Sequence, residues 1–198
     1  CAFVSTAEIN VSFSAPFCFL MDMSMLGVGV GGDTRGAGKV TILEPQIDAP
    51  MIVEDSREGW VALIRRTLDA YVGLDTLPQY VDYSQVRPSG SPINGFGGTA
   101  SGPEPLEELY NSIIEILGAR IGKKIKSSDI VDLFNVIGRC VVAGNVRRSA
   151  EIMFGDPADT AFLDLKDRKK HPRQTDAWRW ASNNSIFAEV GQDYSAAA

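Results

Sequence analysis

The stretch VVAGNVRRSAEIMFGDP, Val141 to Pro157, decides the fold. An apolar run climbs to Ala143, breaks at Gly144, shows Arg147 and Arg148, and turns apolar again through Ile152, Met153 and Phe154. Upstream, a helical period over Asp129 to Val142 follows a capping Ser127 or Ser128. Downstream, Ala150 to Phe154 reads as a strand. Helix, short loop and strand in succession form the unit of an α/β protein.

Working outward, the pattern repeats. Ala2 to Thr6 reads as a short buried strand, and Pro16 to Leu26 as a buried helix with proline in its first turn. Val40 to Leu43 reads as a strand and Glu54 to Val72 as an amphipathic helix. Pro78 to Pro92 reads as extended or turn-like. Pro105 to Ile121 is a second amphipathic helix, with Leu106, Leu109, Tyr110, Ile113, Ile114 and Leu117 on one face. A short helix near Ala158 to Leu165, a solvated basic loop Lys166 to Arg173, a helical piece Asp176 to Trp180 and a strand Ser185 to Val190 complete the chain. The predicted fold class is α/β with parallel strands.

With 198 residues the chain is one domain or a large piece of one. A net charge of -6 argues against a general nucleic-acid binder. No apolar run approaches the ~18 residues of a membrane span, and no signal peptide is evident. Cys1, Cys18 and Cys140 are scattered without a C-x-x-C pair, which disfavours a zinc site and a secreted disulfide framework. The expected compartment is the cytoplasm. The chain opens on Cys1, directly into a strand, so it is read as an excised fragment or a processed product, from an intein junction or a partial clone.

Eleven of the 19 glycines fall in two segments, Gly27 to Gly38 and Gly90 to Gly102, which are read as loops. Such loops allow close backbone approach and rows of free N–H groups that hold anions. GVGVGG follows a helical run rather than a strand and is not a dinucleotide fingerprint; no Walker A spacing occurs. Thr99 to Pro103 runs into a helix start, either a phosphate seat or a plain cap.

CAFVST, PFCFLMDMSMLGVGVG, DTRGAGK, RPSGSPINGFGGTASGPEPL, GNVRRSAEI and WASNNSIFAEV, in this order, resemble adenosylcobalamin-dependent (class II) ribonucleotide reductases, most closely the monomeric ribonucleoside-triphosphate reductase type. The resemblance covers essentially the whole chain. It implies the N-terminal half of a ten-stranded α/β barrel, with an effector-site insertion at about 40 to 86. It also implies an adenosylcobalamin cofactor, a ribonucleotide substrate, a deoxynucleotide effector, a thioredoxin-type reductant and a monomeric parent. Nucleic acid, membrane and resident metal ligands are not expected.

By the same resemblance, Cys1 is the first of two cysteines that reduce the ribose and close a disulfide. Ser24, Gly27, Gly29, Arg148 and Asn183 face the substrate, and Asp33, Arg35, Lys39, Asn145 and Arg147 the effector. The segment Ala143 to Ala150 then links effector and substrate base, and its arginines supply planes that stack on a base or grip phosphate. A bulky aromatic is expected where this chain has Gly32. Cys18 and Cys140 are read as inert core thiols, and His171 is given no catalytic role. No N-x-C-x-E-like radical segment occurs in these residues, so the chain by itself is expected not to turn over. The competing reading is a non-catalytic nucleotide-binding module.

Overall fold

A computed structural model describes residues 1–93, 98–143 and 150–195. β1 (Ala2–Val4) leads into α1 (Ala15–Met25) and returns as β2 (Val30–Asp33). Short strands β3 (Ile47–Asp48) and β4 (Met51–Ile52) precede α2 (Arg57–Ala70), and β5 (Leu77–Pro78) and β6 (Val81–Asp82) follow it. Then come α3 (Glu104–Gly118), α4 (Ser127–Val142), β7 (Glu151–Gly155), α5 (Thr160–Leu163) with a 3-10 turn at Asp164–Lys166, α6 (Pro172–Ala177) and β8 (Ser182–Ile186).

The main sheet runs β1-β2-β7-β8, and every pairing in it is parallel, as the alternation predicted. Parallel neighbours need crossovers, which α1 supplies from β1 to β2. One face of the sheet carries α1 and α4, and α2 and α3 pack outside them. Phe13, Phe17 and Phe134 are fully buried, and the Phe17 and Phe134 rings meet edge-on at 5.6 Å.

Local chemistry explains the helix starts. Ser56 Oγ accepts the Gly59 N–H at 2.9 Å and caps α2. At α4, Asp129 accepts the Lys126 N–H at 2.8 Å while Arg120 grips both of its oxygens at 2.7 and 2.9 Å. That helix is buried on nearly all sides because it lies between the sheet and its helical neighbours.

Three expectations need correction. The first glycine segment is not simply a loop: its middle, Val-Gly-Gly-Asp, is β2, fully buried inside the sheet. A Cβ at Gly31 would sit 2.8 Å from the Phe3 ring, and one at Gly32 would sit 2.5 Å from the Phe134 ring. Glycine here makes room for aromatic neighbours. Val40 to Leu43 forms no strand; Thr41 makes an isolated bridge to Lys124. The last strand lies earlier, at Ser182–Ile186, because polar Ser-Asn-Asn pairs in full register with Glu151, Ile152 and Met153.

Candidate active-site edge

Parallel strands give the sheet two unlike edges. At the N-terminal edge, the Ala2 N–H donates to Gly29 O and the Val30 N–H to Ala150 O, each at 2.9 Å. This places Cys1, Gly29 and Ala150 side by side in one row. Cys1 is exposed. Side chains alternate across a strand. Phe3, Ile152, Phe154 and Asn183 therefore share the face away from the helices, with Phe3 and Asn183 exposed. Cys1 starts the same alternation on that open face. The structure thus brings Cys1 and Gly29 to one edge, and sets Asn183 on the same face two residues further along, in the row of Phe3, Gly31 and Ile152.

The other proposed substrate-side residues differ. Gly27 turns the chain after α1 with φ of +81°, and a Cβ there would point into open space. Ser24 lies on the buried face of α1, its hydroxyl without a hydrogen-bond partner. Gly144, Asn145, Arg147 and Arg148 lie outside the described residues. Their flanks, Ala143 at the end of α4 and Ala150 before β7, are both described, and Ala150 stands at the Cys1 edge.

Asp33, Arg35 and Lys39 gather at the opposite edge. Asp33 pairs with Phe154, four residues along from the Gly29 and Ala150 row, roughly 13 Å at about 3.3 Å per residue. Asp33 is fully buried, and its carboxylate takes Ser5 Oγ at 2.7 Å, Thr6 N–H at 2.8 Å and Thr6 Oγ1 at 3.0 Å. Arg35 lies over the Phe187 ring at 4.8 Å, and its Nε stands 3.9 Å from Asp33. Lys39 Nζ donates to Ala7 O at 2.5 Å. Phe187 also stacks on Phe154 at 5.7 Å, so the edge ends in an aromatic shelf.

Sequence reasoning missed a third feature. A cavity of about 210 Å³ opens between α1, the start of α2 and the second glycine segment, lined in part by Arg57, Trp60, Arg87 and Ser101. Both arginines are already neutralised, Arg57 by Asp22 at 2.7 Å and Arg87 by Asp55 at 2.6 Å. Ser101 belongs to the stretch read as a phosphate seat or cap. In the structure Gly102 turns with φ of +84°, and Pro103 precedes α3 without a side-chain cap. The signal for this cavity in the sequence was the loop itself, which Arg87 opens; Arg57 comes from a segment remote in the chain.

Two thiols are set apart from the site. Cys18 is buried in α1, and burial pushes its pKa up to about 11. Cys140 is buried in α4. Among the described residues no group of three His, Cys, Asp or Glu side chains could hold a metal ion. No described helix is long and apolar enough to cross a membrane.

Comparison with known proteins fits this arrangement. A crystal structure of a B12-dependent (class II) ribonucleotide reductase superposes with a TM-score of 0.76 at 28% identity, covering 96% of this chain and 33% of that one. The family model described as the insertion domain of B12-dependent ribonucleotide reductase matches residues 36–117. The chain belongs to the adenosylcobalamin-dependent, class II ribonucleotide reductase family. It is 50% identical over 198 residues to an adenosylcobalamin-dependent ribonucleoside-triphosphate reductase of Euglena gracilis. It is 48% identical over 214 residues to a probable enzyme of the same name from Dictyostelium discoideum. Each match covers 98% of this chain, but the chain spans only 27% and 28% of those relatives.

Proposed function

We propose that the full-length protein carrying this chain reduces ribonucleoside triphosphates, or diphosphates, to 2′-deoxyribonucleotides in the cytoplasm, with adenosylcobalamin as cofactor and a deoxynucleotide effector setting base choice. The observation that carries this reading is the position of Cys1. It stands exposed at the head of β1, on the open face of the sheet, in the same row as Gly29 and Ala150 and on the same face as Asn183.

In this reading Cys1 is one of two reducing thiols. The pair gives up two electrons and two protons and becomes a disulfide. The ribose C2′–O bond is replaced by C2′–H, and the oxygen leaves as water. Cys18 and Cys140 are buried in helices, so the partner thiol comes from the rest of the protein, as does the radical cysteine. Bound adenosylcobalamin would supply the radical. In this reading the chain's own part is to present Cys1 and to hold substrate and effector.

Gly27, Gly29 and Asn183 are assigned to the substrate side, with Ser24 beneath them and Arg148 from the neighbouring segment. Asn145 and Arg147 are assigned to effector sensing, together with Arg35 and Lys39; Asp33, saturated by Ser5 and Thr6, braces that loop. The stretch of about 40 to 86 is the insertion, inside the matched 36–117 span, built from α2 and the two small parallel ladders. The parent acts as a monomer and is re-reduced by a thioredoxin-type protein.

The test uses the full-length protein with CTP or CDP, a dithiol reductant and a deoxynucleotide effector, assayed with and without adenosylcobalamin. Cofactor-dependent product, lost under thioredoxin in Cys1→Ser, supports the proposal. A folded full-length protein that binds nucleotide without product would favour the binding-module reading.

A further inference from the structure

Glu151 opens β7, directly after Ala150, and its side chain turns toward the helix-covered face. It is 4% exposed, and neither carboxyl oxygen has a hydrogen-bond partner. It lies against Gly138 of α4: a Cβ there would stand 2.0 Å from Glu151 Oε1 and 2.6 Å from Cδ. The missing side chain at Gly138 is what gives the carboxyl its seat. An ionised carboxylate so placed would lack both water and donors, a far greater cost than that of the neutral acid.

Among the described residues, the charged groups on the surrounding elements are engaged elsewhere. On α4, Asp132 pairs with Arg179, and Arg139 donates to Ala177 O and Ser112 Oγ. Beside β8, Lys166 donates to the Ser182 carbonyl, and Ser182 Oγ to Asn184. The paired residue of β2 is Val30, which has no ionisable group. Burial alone raises the Glu151 pKa well above its ordinary 4.5.

Glu151 therefore touches α4 near its last turn while its own backbone begins β7, the two elements that flank residues 144–149. We propose that Glu151 is a positioning residue: as the uncharged acid it locks the end of α4 to the start of β7 and fixes the separation of the two stems of that segment. Its consequence for base selection rests on the function proposed above; the lock itself does not.

The sign follows from the raised pKa. The locked form holds its proton and the opened form releases it. Locking is strongest below about 4.5 and is lost as pH rises through the raised value, with opening increasing up to about tenfold per pH unit in between. The experiment measures backbone hydrogen exchange in the full-length protein at residues 139–143 and 150–155, at pH 6 and pH 8, corrected for intrinsic rates. The native protein should lose protection at pH 8, and E151Q, neutral and of the same shape, should not. G138A, which displaces the carboxyl, should already be unprotected at pH 6. Equal pH dependence in native protein and E151Q would overturn the lock. So would E151Q unprotected at both pH values, since a neutral side chain of the same shape would then fail to hold α4 to β7. In the reductase assay, effector-driven base choice should become independent of pH in E151Q. An inactive native enzyme would count against the proposed function and leave the exchange result standing, whereas an active enzyme without the exchange signature would sink the lock alone.

Discussion

Asp33 accepts the Thr6 backbone N–H at 2.8 Å and the Thr6 hydroxyl at 3.0 Å, so the last residue of β2 ties down the turn that leaves β1. Both residues are fully buried. Asp33→Ala would orphan the Thr6 N–H and remove charge-assisted bonds, at a cost of about 2–3 kcal/mol. Urea unfolding of the full-length protein checks this. An unchanged midpoint would mean that the turn stands without its brace.

Gly32 faces Phe134 so closely that a Cβ would lie 2.5 Å from Cε1 and 2.7 Å from Cζ. The resemblance led to the expectation of an aromatic at this position; in this chain the Phe134 ring of α4 occupies the space beside the Gly32 Cα. Gly32→Ala should destabilise by about 1–3 kcal/mol through overpacking. Adding Phe134→Leu should recover part of that loss, which thermal unfolding of the single and double variants would show.

Asp132 and Arg179 form a buried pair. Arg179 Nε donates to Oδ1 at 2.7 Å and Nη2 to Oδ2 at 2.8 Å, while Trp178 Nε1 adds a bond at 2.8 Å. Asp132→Ala leaves a buried guanidinium unpaired and should cost about 3–5 kcal/mol. The double variant Asp132→Leu, Arg179→Met should cost much less. Equal losses in single and double variants, measured by denaturant titration, would show that packing rather than charge matters there.

The three thiols should react in order of access. Cys1 is exposed, whereas Cys18 is buried with its pKa pushed up to about 11, so at pH 8 it stays the neutral thiol. Iodoacetamide followed by peptide mapping should label Cys1 first and leave Cys18 unmodified until denaturant is added. Early labelling of Cys18 would show that α1 opens readily in solution.

The helices were largely legible because their signals are local. Leu106, Leu109, Ile113 and Leu117 repeat at helical spacing, and all four are buried in α3. The alternation of helix and strand around Val141 to Pro157 likewise foretold a parallel sheet. Cys1 was singled out by resemblance, and the structure supplied its row, its face and its neighbours Gly29 and Ala150.

What the chain determined alone, then, was periodicity: which residues turn inward on each helix, and that parallel strands must alternate with them. Tertiary structure decided the rest. Val-Gly-Gly-Asp became a central strand because Phe3 and Phe134, remote in sequence, fill the volume its glycines leave. Ser-Asn-Asn-Ser-Ile became an edge strand because the open backbone of β7 offered it a full register of partners. The strand register also sent Asp33, Arg35 and Lys39 to one edge and Cys1, Gly29 and Ala150 to the other. No local pattern carries that separation, because it depends on hydrogen bonds between segments more than a hundred residues apart, such as Val30 to Ala150.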